Sequence, residues 1–220
     1  MSKEKYLEAI RDSIVNLDFD KSREYTLKAL EANVKPQEII SKSIAEGMDI
    51  VGKKFESGEY FLSELIVAGE IGKEITSILE PHLKGSEISR VGKVVIGTVR
   101  GDLHDIGKNI VAIMLEAAGF EVIDLGADVP PEKFVEAVKK ENPDIVAMSA
   151  LLTVTMVEMK NIIDALKEAG LREKVKVIIG GAPVTEEFAR SIGADGYGAD
   201  AVQGVRICKA WMEEKSKTKT

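Results

Sequence analysis

The chain holds two histidines and one cysteine, so metal or acid–base chemistry has few side chains to draw on. His104 stands two residues after Asp102 in Arg100-Gly101-Asp102-Leu103-His104-Asp105-Ile106-Gly107, near enough for the carboxylate to accept the imidazole Nδ1–H and leave Nε2 facing outward. Such a pair fixes the tautomer and strengthens the ring as a metal ligand or a base. The same segment also reads as a polar loop whose aspartate caps the next helix, with the histidine incidental. A conventional zinc site needs three or four ligands, which this chain could supply only through carboxylates, and His82, just past Pro81, has no partner pattern. A single supported imidazole suits a metal already held inside a macrocycle, with the protein adding an axial ligand.

Other chemistries find less support. Ser149 lacks the G-x-S-x-G elbow of a nucleophilic hydrolase, and neither G-x-G-x-x-G after the first expected strand nor G-x-x-x-x-G-K-[ST] occurs. Cys208 is expected on the last helix as a buried apolar filler. Gly180-Gly181 either lets something flat approach the backbone or serves a turn with positive φ.

These residues need elements to position them, and the hydrophobic period changes along the chain. From Lys3 to about His82, apolar residues recur at intervals of three and four: Leu7, Ile10, Ile14 and Leu17; Ile40, Ile44, Met48, Val51 and Phe55; Leu65, Ile71, Ile75, Ile78 and Leu79. With breaks at 16–20, 33–36 and 56–61, this predicts a four-helix bundle over residues 1–85, ending near Glu80 before Pro81 and a Lys84-Gly85-Ser86 linker. After Arg90, short apolar runs at 94–99, 122–125, 145–148 and 175–179, with a weaker one at Gly196-Tyr197, alternate with helical stretches at 106–118, 131–140, 155–169, 185–192 and 200–213. Continuous apolar strands separated by helices imply an α/β domain over 90–214: a flavodoxin-like, doubly wound parallel sheet of order 2-1-3-4-5, with its ligand beyond the carboxyl ends of the strands. The His104 loop, Ser149-Ala150-Leu151 and Gly180-Gly181 all fall on that edge. Residues 215–220 read as a disordered tail.

Composition narrows the field further. Thirty basic against 37 acidic residues give a net charge of −7, and without a basic stripe this disfavours a nucleic-acid partner. No apolar run approaches the ~18 residues of a membrane span, and the polar start Met1-Ser2-Lys3-Glu4-Lys5 lacks a secretion-signal core, so a cytoplasmic protein is expected.

Asp102-x-His104-x-x-Gly107, then Ser149-x-Leu151, then Gly180-Gly181 resembles the cobalamin-binding signature D-x-H-x-x-G…S-x-L…G-G. Gly58-Glu59-Tyr60-Phe61-Leu62-Ser63-Glu64-Leu65 resembles the cap segment of methyl-carrying corrinoid proteins, with Ser63 where many relatives have proline. Together the two matches run from about Tyr6 to Trp211. They are most similar to the small corrinoid proteins of methylamine, methanol and methoxy-compound methyltransferase systems. The resemblance implies one cobalamin or related corrinoid per chain, with His104 as the lower axial ligand of cobalt in place of dimethylbenzimidazole, Asp102 behind it and Thr155 at the outer end of the relay. It implies that Ser149 and Leu151 line the cleft for the nucleotide tail, that Gly180 and Gly181 make room deeper in it, and that Tyr60, Phe61 and Leu62 cover the upper face. It also implies a methyl carrier rather than a complete enzyme, served by a substrate-specific methyltransferase, an acceptor methyltransferase and a reductive activation protein. An adenosylcobalamin-dependent mutase subunit would need a catalytic barrel, and a cobalamin-sensing regulator a DNA-binding domain. The chain has no length for either. A flavodoxin-like module binding something else is the remaining alternative.

Overall fold

The computed structural model of the chain describes residues 1–83 and 90–217. The expected linker Lys84-Gly85-Ser86 lies outside the described residues. The chain divides into two compact units, Met1–Arg90 with Ile113–Gly119, and Val91–Ala112 with Phe120–Thr220.

In the first unit, α1 (Lys3–Val15) and α2 (Phe19–Glu31) begin at side-chain caps, Ser2 accepting from the Lys5 N–H and Asp18 from the Lys21 N–H. Pro36 opens α3 (Pro36–Ile39), which runs through a π-helical turn (Ile40–Ile44) into α4 (Ala45–Glu56). α5 (Leu62–Leu79) follows, and Pro81 falls in a short 3-10 turn (Glu80–Leu83). Most residues at intervals of three and four form the core, with Leu7, Ile10, Ile14, Ile44, Met48, Val51, Leu65, Ile71, Ile75 and Leu79 buried, whereas Ile40, Phe55 and Ile78 are partly buried and the adjacent Ile39 is buried where Ile40 is expected. Leu17 differs: it has left the helix with a positive φ of 59° at the α1–α2 turn.

The second unit contains β1 (Lys93–Thr98), the start of α6 (Ile106–Ala117, whose residues from Ile113 belong to the first unit), β2 (Glu121–Asp124), α7 (Pro131–Glu141), β3 (Ile145–Ser149), α8 (Glu158–Glu168), β4 (Lys176–Gly180), α9 (Glu186–Ile192), β5 (Gly196–Gly198) and α10 (Ala201–Lys217). The strands form one parallel sheet in the order β2-β1-β3-β4-β5, as the alternation of strands and helices predicts. Val95, Val146, Val177 and Ile179 point into a core shared with Phe134, Ile162, Ile163 and Leu166. Register places Thr98 beside Ser149 and Ser149 beside Gly180, so the three central strands end level with one another.

Two expectations require correction. The helix expected from Thr155 starts at Glu158, because residues 151–157 form turns whose N–H groups serve another purpose, described below. The tail expected to be disordered from Lys215 is helical through Lys217, where the Lys215 ammonium pairs with Asp144; residues 218–220 lie outside the described part. No described helix is long and apolar enough to cross a membrane.

Candidate functional site

The first crossover leaves β1 through a turn in which the Asp102 N–H donates to the Val99 carbonyl at 3.2 Å, and Gly101 takes the positive φ of 79° that the turn demands. This drives the Asp102 side chain inward to complete burial while the His104 side chain keeps 51 % of its surface. Imidazole Nδ1 lies 2.7 Å from Asp102 Oδ1, which also accepts the His104 backbone N–H at 3.1 Å. The other carboxylate oxygen, Oδ2, accepts the Thr155 hydroxyl at 2.6 Å and the backbone N–H groups of Leu151 at 2.7 Å and Leu152 at 3.3 Å.

Burial alone would push the Asp102 carboxyl up. The hydrogen bonds from Thr155, Leu151 and His104 outweigh it and hold the group well below the usual carboxylate range. Asp102 is therefore an anion at neutral pH and can only accept, so Nδ1 must carry the imidazole proton. Nε2 is left with its lone pair available for a metal.

The Asp102–His104 pairing and the Thr155 hydroxyl meet as the sequence predicts. Ser149 ends β3 level with Thr98, but its hydroxyl is not among the donors to Asp102. Leu151 contributes its backbone N–H, and its side chain remains exposed. The backbone explains the glycine pair: a Cβ on Gly181, which has a φ of 128°, would stand 1.9 Å from the Ala150 carbonyl oxygen, and one on Gly180 would stand 2.9 Å from that of Gly198. Gly181 thus takes the positive φ of the turn reading, and the nearness of neighbouring backbone is by itself sufficient to account for both missing side chains. Gly107 is the opposite case, for nothing lies within 4 Å of where its Cβ would be. In the first unit, Tyr60 is tied down, its hydroxyl donating to the Val15 carbonyl at 2.6 Å, whereas Phe61 and Leu62 are exposed. The Phe61 N–H donates to Glu64 at 2.9 Å and starts α5.

Sequence reasoning did not anticipate two contributors. Thr98, a buried hydroxyl at the end of β1, donates to the His104 carbonyl at 3.1 Å and fixes the far side of the loop; a polar residue closing an apolar strand is the signal that could have found it. The Leu152 N–H carries no signal in residue type. Cys208 is buried as expected, and burial pushes its thiol up to about 12.

Comparison with known proteins gives a consistent result. Residues 92–206 match a family model described as a B12 binding domain, and residues 6–80 match a second model of the same description. The chain is 44 % identical over 211 residues to a trimethylamine corrinoid protein of Methanosarcina acetivorans, covering 95 % of this chain and 98 % of the relative. A cobalamin-binding protein from Desulfitobacterium hafniense, solved by crystallography, superposes with a TM-score of 0.82 at 44 % identity, over 93 % of this chain and 98 % of that one. A chain of the methanol:cobalamin methyltransferase complex of Methanosarcina barkeri superposes with a TM-score of 0.83 at 32 % identity, over 97 % of this chain and 81 % of that one.

The residues present fit a corrinoid. One outward imidazole nitrogen backed by a buried anion offers a single axial ligand, and no cluster of three or more His, Cys, Asp or Glu among the described residues could hold a bare metal ion. The two loops carrying that constellation expose Leu103, Ile106, Leu151, Leu152, Val154 and Val157, an apolar surface suited to a flat macrocycle. The open space at Gly107 lies beside them in sequence, where no atom of the chain accounts for the missing side chain.

Proposed function

We propose that this chain, which belongs to the family of small corrinoid proteins built on B12-binding domains, carries a methyl group on its cofactor between two methyltransferases. One partner is substrate-specific and takes the methyl from a methylamine. The other delivers it to a thiol or pterin acceptor. The similarity to a trimethylamine corrinoid protein supports the amine as donor, and the likeness to a chain of a methanol:cobalamin methyltransferase complex supports methyltransferase partners. A third protein, reductive, would restore the cofactor after accidental oxidation. The observation that carries the reading is the fully buried Asp102 holding His104 by Nδ1 with the ring half exposed.

The bound corrinoid supplies a cobalt centre able to accept and release a methyl group. What this chain adds follows from its own atoms. Asp102 holds the proton at Nδ1 and lends electron density to the ring, which makes Nε2 a stronger ligand. A proton taken up at Nε2 occupies the lone pair that a metal would use, so ligation and protonation exclude each other at that atom. Thr155 with the two backbone N–H groups keeps the Asp102 carboxylate anionic and in place behind the ring that would hold the metal. Ser149, Leu151 and Gly107 are assigned to the cofactor's cleft, Gly180 and Gly181 to the close packing of the strand ends beside it, and Phe61 and Leu62 to excluding water from the cofactor.

Mixing apoprotein with hydroxocobalamin, followed by gel filtration and a visible spectrum, tests this. Wild type should retain the corrinoid with the vitamin's own base displaced, and His104→Ala should alter the axial ligation. Retention by His104→Ala with an unchanged spectrum would remove His104 from the role.

A further inference from the structure

Asp128, in the loop after β2, is a non-glycine residue held at a positive φ of 55°. The other described non-glycine residues with positive φ, Leu17, Asn33 and Asn142, stand at the ends of helices. Asp128 instead sits at the carboxyl edge of the sheet and grips the His104 loop from both sides of one residue. Its Oδ1 accepts the Gly101 N–H at 2.7 Å, and its backbone N–H donates to the Asp102 carbonyl at 3.0 Å. The rest of its loop is fastened to the end of β1: Thr98 N–H donates to Gly126 at 2.9 Å, Val129 N–H donates to Thr98 at 3.0 Å, and Val99 bridges Val129. Asp128 therefore bonds the peptide before Gly101 and the peptide after Asp102, and the peptide between these two residues is held by the Asp102 N–H bond to the Val99 carbonyl. Backbone strain kept at one residue needs a surrounding reason, and the two bonds that Asp128 makes in this conformation supply one.

We infer that Asp128 is a positioning residue for the axial ligand: by clamping the Gly101–Asp102 backbone it fixes where Asp102 stands, and through Asp102 the direction of the His104 ring. The inference rests on the assignment of His104 to cobalt. It concerns a residue that touches neither the imidazole nor the buried carboxylate.

Three substitutions separate acceptor from backbone conformation. Asp128→Asn keeps a side-chain oxygen and tolerates positive φ. Asp128→Gly keeps the conformation and loses the acceptor, and Asp128→Ala loses both. Each apoprotein is melted by circular dichroism and titrated with hydroxocobalamin, and the histidine-ligated fraction is read from the visible spectrum against a His104→Ala baseline. Asp128→Asn should match wild type. Asp128→Gly should bind about tenfold more weakly, with a reduced ligated fraction, and Asp128→Ala should be worse. Should Asp128→Gly melt at lower temperature, Asp128→Asn remains the deciding variant, because it restores the acceptor. The proposal is overturned by a wild-type ligated fraction in Asp128→Gly, or by an Asp128→Asn protein that melts like wild type yet loses ligation. A wild type without histidine ligation would instead overturn the assignment of His104.

Discussion

At the scale of single residues, the decisive feature is a carboxylate buried without a cation beside it. Asp102 survives there because four N–H groups and one hydroxyl converge on its two oxygens, His104 supplying two of the N–H groups, one from its backbone and one from its ring. Thr155 makes the shortest of these contacts. Thr155→Val should therefore cost about 1.5–3 kcal/mol of apoprotein stability at neutral pH. Folding lowers the Asp102 carboxyl from its unfolded value of about 3.9, so the folded state binds fewer protons; this stability is present above that pH and is lost as pH falls towards the depressed value. Urea unfolding as a function of pH should show the gap between wild type and Thr155→Val narrowing below about pH 4. A constant gap would mean that Thr155 acts through packing alone. The sequence makes Asp102 and His104 legible because their side-chain chemistry and spacing are distinctive, whereas Thr155 is reached only through the family resemblance. The Leu151 and Leu152 donors stay hidden because every residue but proline carries an N–H.

Secondary-structure elements set the next scale, and there the apolar periods decide nearly everything. Five β-rich runs between helical stretches dictate a parallel sheet, and the level ends of β1, β3 and β4 carry the three pieces of the motif to one edge. What the periods miss is where an element gives way to function. α8 begins three residues later than its pattern allows, because the preceding turns aim N–H groups at Asp102. The helix from Pro36 to Glu56 contains a π-helical turn that a period of 3.6 does not reveal. Gly180 and Gly181 belong to this scale as well, since their identity is set by the approach of neighbouring backbone. Gly181→Ala should destabilise the protein by at least about 3 kcal/mol, from the clash with Ala150 and the unfavourable φ together, measured by chemical denaturation of the apoprotein. Near-native stability in that variant would show that the strand ends can part, and would return the glycine pair to a role in ligand access.

For the whole molecule, the match of both segments to B12 binding domains and the near-complete coverage of its relatives establish the family, whereas composition and charge only removed other classes. Among the described residues one imidazole is backed by a buried carboxylate and no group of three or more His, Cys, Asp or Glu could hold a metal ion, so the proposed function assigns cobalt to His104. Electron paramagnetic resonance of the cobalt(II) corrinoid complex, prepared from protein labelled with nitrogen-15 in histidine alone, tests that claim most directly. The account predicts that the axial-nitrogen splitting, a triplet in unlabelled protein, becomes a doublet on labelling and vanishes in His104→Ala. A triplet that persists in the labelled protein would mean that the vitamin's own base still holds the metal, and would contradict the account.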